Sequence, residues 1–237
     1  MTLIKPAATI MLARDNQGHL EVLLLKRNKA LKFAGGLWVF PGGKIDVSEL
    51  ELAENELEAA RMAAVRETRE EASLAIPPEQ LTFFSHWTTP KIEPRRYATW
   101  FFFGSIQDPS LEVRIDDSEV KDHLWINPQN ALDQFECGQL AMMPPTYISL
   151  QRIRKCKTIE SAHRELTRFE PFFILPVLQL ESSNMYCLYE GDAGYESGDF
   201  RLPGARHRLV GNMLKGNFVF EYNDCESIIP VNGGMHL

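Results

Sequence analysis

The chain has 237 residues, a formal net charge of −7 and a sequence pI near 5.4. A chain of this length buries a substantial core without disulfides or structural metals. Its acidic charge balance argues against nucleic acid and anionic membranes as partners. An anionic small molecule would therefore have to be bound by a local group of cations or by a metal ion.

The cysteines are scattered along the chain and form neither a CxxC pair nor a cluster with histidine; they are Cys137, Cys156, Cys187 and Cys225. They predict reduced thiols rather than a zinc site or a disulfide framework. The first apolar run is interrupted at Arg14, too early for a membrane span or a secretory leader. The final Gly-Met-His-Leu is no peroxisomal address. We expect a soluble, cytoplasmic protein in a setting that fits bacteria.

The first half of the chain predicts strands around one strong helix. Apolar runs at residues 7–13 and 20–27 flank a turn-forming Asp-Asn-Gln-Gly segment and predict two paired strands. A short strand at 37–40 ends in Pro-Gly-Gly, and an Ala-, Glu- and Arg-rich helix follows over 56–72. Further strands are predicted at 81–87, 97–106 and 123–126, and Asn127-Pro128 begins a helix that extends to about residue 135.

The composition changes after Pro144-Pro145. A helix-like run over 146–166 precedes short β-like runs at 172–180, 185–189, 207–210 and 217–222, with a hairpin turn at Lys215-Gly216-Asn217. We predict an α+β fold in which helices enclose a mixed sheet. The domain would span residues 1–145, and residues 146–237 would form a C-terminal helix and a β-rich extension packed on it.

Three acidic side chains share one face of the helix over 56–72. Each helical residue turns the chain by about 100°, so Glu67, Glu70 and Glu71 fall within one arc. Hard divalent cations prefer such groups of oxygen ligands. For an isolated string of this kind, a solvated face with i,i+4 ion pairs is the commoner interpretation. The Gly-Gly turn before the helix favours a metal-binding site over a solvated face, because glycine allows the backbone to approach a ligand closely.

These residues closely resemble the Nudix box, which reads Gly, five residues, Glu, seven residues, Arg-Glu, an apolar residue, any residue, Glu-Glu, any residue, Gly, apolar. Here Gly43 is followed by Glu58, then by seven residues and Arg66-Glu67, and Glu70-Glu71 complete the match within residues 42–74. The preceding Trp-Val-Phe-Pro-Gly-Gly also fits the family. The resemblance implies the Nudix α/β/α sandwich and metal-dependent cleavage of a diphosphate in a nucleotide-derived metabolite.

Three departures from the box stand out. Fourteen residues separate Gly43 from Glu58 where the pattern has five, so an acidic insertion of nine falls within residues 46–57, a loop that we expect to influence substrate selection. Thr68 is less apolar than the pattern asks. Ser73 replaces the terminal glycine, where a left-handed helix cap costs a non-glycine residue about 1 kcal/mol.

The resemblance also assigns roles. Glu70 and Glu71 would be the main Mg²⁺ or Mn²⁺ ligands, Glu67 a further ligand or the general base, and Arg66 would orient the carboxylates. The carbonyl of Gly42 matches a further metal ligand. Glu58 would have to lie before the helix or contribute indirectly, because nine residues from Glu67 place it on the opposite side of a straight helix.

Residues outside the box supply secondary candidates. Glu119 resembles a late glutamate that serves as a base or ligand in many Nudix enzymes, and a solvated loop acid is the alternative. Arg95 and Arg96 either clamp a phosphate or face solvent.

The segment before the box resembles that of Nudix CoA diphosphatases, in the positions of Leu23-Leu24, Arg27, Leu31, Lys32, Gly36 and Phe40-Pro41-Gly42-Gly43. It implies CoA or acyl-CoA as the substrate, with Arg27, Lys32 and Arg96 as substrate-binding residues. Lys32 replaces an arginine and Ala34 a histidine of that pattern, which weakens the implied recognition of a 3′-phosphate. Solvated positions for Arg27 and Lys32 are the alternative.

Other functions remain open or are excluded. Gly43-Lys44 lacks the serine or threonine and the first glycine of a P-loop, and no GxGxxG follows the first strand. A Nudix-like module that binds a nucleotide metabolite without catalysis is the main alternative, followed by a pyrophosphatase acting on NADH or ADP-ribose. The expected partner is a small nucleotide-derived molecule, and a homodimer is kept open.

Overall fold

A computed structural model describes residues 3–115, 117–212 and 214–225. An eight-stranded mixed sheet forms its centre. The strands are β1 (Ile4–Asn16), β2 (His19–Arg27), β3 (Trp38–Val39), β4 (Gly42–Lys44), β5 (Thr82–Thr88), β6 (Arg96–Ser105), β7 (Val120–Ile126) and β8 (Phe172–Ile174).

The sheet has the order β3-β2-β1-β6-β5-β8, while β4 pairs with β1 and β7 pairs with β2. The pairs β1–β6 and β5–β8 are parallel, and the other pairs are antiparallel. The long β1 pairs with three strands. On one edge its first half pairs with β4 and its second half with β2, and on the other edge it pairs with β6. Pairing with β1 places the Gly-Gly turn at the centre of the fold.

Helices cover both faces of this sheet. They are α1 (Val47–Leu52), α2 (Glu56–Ala72), α3 (Pro128–Glu136), α4 (Pro144–Ile153) and α5 (Ile159–Leu166). Ala59, Ala60, Ala63 and Ala64 of α2 are fully buried against strand residues that include Ile10 and Leu12. Their small side chains allow close helix–sheet packing. The opposite face of β1, with Met11 and Ala13, joins a core with α3, α4 and α5. The predicted mixed sheet between helices is confirmed.

The segment after α5 forms the predicted β-rich extension. Its antiparallel sheet has the order β12-β11-β10-β9, with β9 (Val177–Glu181), β10 (Asn184–Leu188), β11 (Arg206–Gly211) and β12 (Val219–Asn223). Leu209 and Phe218 from this part share a hydrophobic cluster with Met11 and Leu20 from the start of the chain. The strand β8 also adds to the first sheet, beside β5.

Two sequence predictions for this region were wrong in detail. The single helix over 146–166 is divided into α4 and α5, because Thr158 caps a new helix by accepting from the Ser161 amide, at 3.1 Å. The run over 172–180 is divided at Pro176, so β8 and β9 lie in different sheets. Proline has no amide hydrogen with which to continue a ladder.

The predicted turn at Lys215-Gly216-Asn217 lies in the connection between the antiparallel β11 and β12, with Gly216 in the left-handed region at φ 66°. The connection is longer than a two-residue hairpin. The terminal Gly-Met-His-Leu lies outside the described residues. Within the described ranges, no helix is long and apolar enough to cross a membrane.

Candidate active site

The helix that carries the acidic residues begins and ends as predicted. Asn55 caps α2 by accepting a hydrogen bond from the Glu58 amide, at 3.0 Å. At the other end Ser73 adopts the left-handed conformation at φ 57°, and its hydroxyl donates to the Arg114 carbonyl at 3.1 Å. The family's helix-end geometry is therefore kept without glycine, and the serine hydroxyl provides a bond that glycine lacks.

Arg66 holds the acidic residues together. Its guanidinium donates to Glu67 Oε1 at 2.8 Å, to Glu70 Oε2 at 3.2 Å and to the Lys44 carbonyl at 2.9 Å. The Glu67 side chain is mostly shielded, while that of Glu70 is 58% exposed. Arg66 thus contacts two of the three carboxylates on this face of α2, and its orienting role stays a prediction.

A further acidic residue, Glu49, was missed by the sequence analysis. It lies in α1, is only 7% exposed, and accepts from Arg66 Nε at 2.9 Å and from Arg66 Nη2 at 3.2 Å. Glu58, which the sequence comparison placed in the box, instead lies 3.3 Å from Arg61. The glutamate that pairs with the box arginine is therefore Glu49.

The signal for Glu49 was present in the sequence. It follows Gly43 after five residues, as the Nudix pattern requires, whereas sixteen residues separate it from Arg66 where the pattern has seven. The nine additional residues thus lie between Glu49 and Arg66, after the first glutamate rather than before it. This corrects the predicted place of the insertion, which includes part of α1 and the start of α2.

The Gly-Gly turn touches the acidic face of α2 directly. The Gly42 amide donates to Glu71 Oε2 at 2.9 Å. A Cβ on Gly43 would lie 2.3 Å from the Glu67 carboxyl group, so no larger residue fits there without moving Glu67. The contact seen for Gly42 is made by its amide, whereas the predicted metal ligand was its carbonyl.

Burial sets the charge state of two of these carboxyl groups. Desolvation raises the pKa of Glu71 to about 8, with repulsion from Glu67 and Glu119 adding to it and the Gly42 amide and Arg27 opposing it. Burial likewise raises the pKa of Glu67, against the hydrogen bond from Arg66. The bond to Glu49 raises the pKa of Arg66, so this guanidinium stays charged. Ionisation of Glu67 and Glu71 is thus disfavoured in the absence of a nearby positive charge, and a bound cation would stabilise their charged forms.

The remaining predicted residues are only partly brought together. Arg27, at the end of β2, lies 3.8 Å from Glu71 and 3.5 Å from Glu119, which places both at the edge of the cluster. Lys32 is exposed between β2 and β3, and no carboxylate of the described residues lies within 4 Å of its ammonium. Arg96 donates from Nε to the Thr89 carbonyl at 3.0 Å and lines a separate cavity.

The donor set fits a hard divalent cation in its chemistry. Glu67, Glu70 and Glu71 offer carboxylate oxygens, the ligands that Mg²⁺ and Mn²⁺ prefer. Their present arrangement is directed at Arg66 and Gly42, and among the described residues no three acidic, histidine or cysteine side chains converge in a metal-binding geometry. Metal binding would therefore require reorientation of side chains, for which the exposed Glu70 has room.

Comparisons with known proteins agree on the family. Over 227 residues the chain is 25% identical to a Caenorhabditis elegans protein with the provisional name nudix hydrolase 7, covering 81% of this chain and 74% of that protein. It is 24% identical over 151 residues to the acyl-coenzyme A diphosphatase NUDT19 of Gallus gallus, covering 58% of this chain but only 39% of the chicken protein.

Among solved structures, a NUDIX hydrolase from Alicyclobacillus acidocaldarius has the same fold, with a TM-score of 0.61 and 24% identity over 72% of this chain and 98% of that one. The NUDIX domain profile matches residues 4–144, more than half of the chain, and thus includes both the Gly-Gly turn and the acidic helix. Members of this family hydrolyse diphosphate linkages of nucleotide derivatives and generally use divalent metals. The chain belongs to the Nudix family and is a Nudix pyrophosphohydrolase.

Proposed function

We propose that the enzyme hydrolyses the diphosphate of CoA or an acyl-CoA with the carboxylates of α2. The observation that carries the proposal is that Arg66 holds Glu67 and Glu70 together, at 2.8 and 3.2 Å, on the helix whose Glu71 accepts from the Gly42 amide at 2.9 Å. A bound Mg²⁺ or Mn²⁺ would neutralise the phosphoryl oxygens and activate the attacking water. Glu70 and Glu71 would be its principal ligands and the Gly42 carbonyl a further one.

The other site residues receive roles by position. Glu67 is shielded and its pKa is raised, as suits a group that ligates metal or accepts a proton from water. Glu119 would serve as a second base, since Arg27 links it to the Glu71 side of the cluster. Arg27 itself would contact the diphosphate once metal has taken Glu71. A cytoplasmic location belongs to the same proposal, whereas a homodimer stays open.

Two observations support CoA over other nucleotide derivatives. The segment from Leu23 to Gly43 has the residue spacing of CoA diphosphatases, and Arg27 of this segment lies at the carboxylate cluster. A relative over part of the chain is named an acyl-coenzyme A diphosphatase. NADH and ADP-ribose are the competing substrates, because Lys32 and Ala34 replace an arginine and a histidine of that pattern.

Parallel assays of CoA, NADH and ADP-ribose with Mg²⁺ and with Mn²⁺ test the proposal. Adenosine 3′,5′-bisphosphate and phosphopantetheine must appear from CoA, with the highest kcat/KM of the three. A higher kcat/KM for NADH or ADP-ribose would overturn the substrate and keep the enzyme class. Binding of all three without turnover under either metal would favour a metabolite-binding module instead.

A further inference from the structure

A group of cations lies beside the acidic cluster, where β1 and β6 begin. There a cavity of about 360 Å³ is lined by Lys5, Lys44, Arg95, Arg96 and Tyr97. Among the described residues, no acidic side chain lines it and no carboxylate lies within 4 Å of any of these four cations. In a chain with a net charge of −7, this concentration of uncompensated positive charge favours an anionic ligand.

Strand pairing assembles the cavity from distant parts of the chain. In the parallel β1–β6 ladder, Ile4 pairs with Arg96 and Lys5 with Tyr97. In the β1–β4 ladder, Ala7 pairs with Lys44. Because residues two apart on a strand share a face, Lys5, Tyr97 and Lys44 point to the same side of the sheet. Four of these five residues therefore belong to strands of the central sheet, and Arg95 directly precedes β6.

Arg96 is fixed in position for such a role. Its Nε donates to the Thr89 carbonyl at 3.0 Å, which leaves the two terminal amino groups for a ligand. A guanidinium held in this way offers two parallel donors to a phosphate, while the lysines contribute point charges. Tyr97 also lines the cavity, and its hydroxyl is a neutral hydrogen-bond donor.

The cavity and the acidic cluster meet at β4. Lys44, which lines the cavity, accepts a hydrogen bond on its carbonyl from Arg66 at 2.9 Å, and Arg66 in turn donates to Glu67. On the opposite face of the same strand, Gly43 faces the Glu67 carboxyl group. The two regions therefore lie on opposite faces of β4, which among the described strands pairs with β1 alone, so an extended ligand with two anionic groups would reach both by passing around this strand.

We infer that the cavity binds a phosphomonoester of the substrate that lies outside the cleaved diphosphate. The inference rests on the proposed function and specifies its substrate class, namely a nucleotide that carries an additional phosphate. Such a group bears a charge of roughly −1.5 to −2 near pH 7, which four cations match. CoA has this phosphate on its ribose, whereas NADH and ADP-ribose have none beyond the diphosphate. The cavity would thus recognise the additional phosphate, which Lys32 and Ala34 are poorly suited to bind.

Binding and turnover are measured separately. Calorimetry without metal compares adenosine 3′,5′-bisphosphate with AMP on the full chain, and assays with Mg²⁺ compare CoA with 3′-dephospho-CoA. The test variant is Lys5→Ala/Arg95→Ala. The control variant, Lys155→Ala/Arg114→Ala, removes the same two charges from exposed positions that do not line the cavity.

We expect the wild-type chain to favour the ligand with the additional phosphate by roughly tenfold or more, both in Kd and in kcat/KM. The test variant should lose most of this ratio and the control should keep it, with equal melting temperatures confirming that both fold. Equal affinity of the wild-type chain for the bisphosphate and AMP would overturn the inference, as would equal losses in the two variants. Absence of CoA turnover with an intact binding ratio would instead reject the proposed reaction and keep the cavity.

Discussion

Glu70 is the residue whose substitution separates metal binding from folding. Its side chain is 58% exposed and makes one ion pair, with Arg66, so Glu70→Gln should leave the fold intact. If Glu70 is a principal metal ligand, activity should fall by roughly 10²-fold or more at saturating Mg²⁺. Glu58→Gln, the same change on the same helix, should retain activity within about twofold. Near wild-type turnover in Glu70→Gln would remove Glu70 from the ligand set.

Glu71 predicts a pH-dependent response to metal. Its folded-state pKa is about 8 against an ordinary value of 4.5, so between these pH values the folded chain binds more protons than the unfolded chain. Without added metal, the free energy of unfolding should therefore decrease as pH rises through this window. Burial of Glu67 acts in the same direction.

Mg²⁺ should compensate for this loss, because it replaces the proton on Glu71. The rise in melting temperature caused by Mg²⁺ should thus be larger at about pH 8.5 than at about pH 6. Thermal unfolding with EDTA and with saturating Mg²⁺ measures the difference, and Glu71→Gln should abolish most of it. An equal Mg²⁺ effect at both pH values in the wild-type chain would contradict a role for Glu71 as a ligand.

At the scale of elements, the insertion between Glu49 and Arg66 can be removed without touching either residue. Deleting residues 50–58 leaves seven residues between them, the spacing of the family pattern. Loss of the Asn55 cap should cost about 1 kcal/mol. We expect a modest decrease in melting temperature, retained hydrolysis, and a changed order of kcat/KM among CoA, NADH and ADP-ribose, because loops of this kind select substrates.

Glu49→Gln provides the complementary variant. This substitution keeps the insertion but weakens the ion pair between Glu49 and Arg66. The kcat/KM should therefore fall for CoA, NADH and ADP-ribose alike, with the order of the three substrates unchanged. If the deletion leaves the order unchanged, the insertion has no selective role. If Glu49→Gln alters the order, α1 itself contacts the substrate.

At the scale of the whole molecule, Phe218 tests whether the C-terminal extension unfolds with the rest. It is buried, and its ring centroid lies 4.9 Å from that of Phe135 and 5.2 Å from that of Tyr147. Phe218→Ala should destabilise the chain by about 3 kcal/mol. We expect one unfolding transition shifted to lower temperature, since a shared core makes the two parts cooperative. Val219→Ala, at an exposed neighbouring position, should shift it little. Two transitions, only one of them shifted, would instead indicate separate domains.

The position of α2 and the chemistry of its acidic face could be predicted from the sequence. Local signals suffice there: helix propensity predicts residues 56–72, and the shared face of Glu67, Glu70 and Glu71 follows from the turn per residue. The Gly-Gly turn is equally local, although only the structure shows that Gly43 lies against Glu67. Glu49 also agrees with the family pattern, since five residues separate it from Gly43. Glu58 agrees with another part of the pattern, since seven residues separate it from Arg66, and the sequence analysis chose Glu58.

The glutamate that pairs with Arg66 could not be predicted in this way, because Glu49 and Glu58 each agree with one spacing of the pattern and only their contacts in the fold distinguish them. Likewise, the break in the run over 146–166 and the place of β8 in the first sheet could not be predicted, since long-range pairing overrides local propensity. Of the basic cavity, the sequence indicated only Arg95 and Arg96 as a phosphate clamp, with solvated positions as the alternative. Lys5, Lys44 and Arg96 become neighbours only through the register of β1 with β4 and β6, and strand register depends on the whole core.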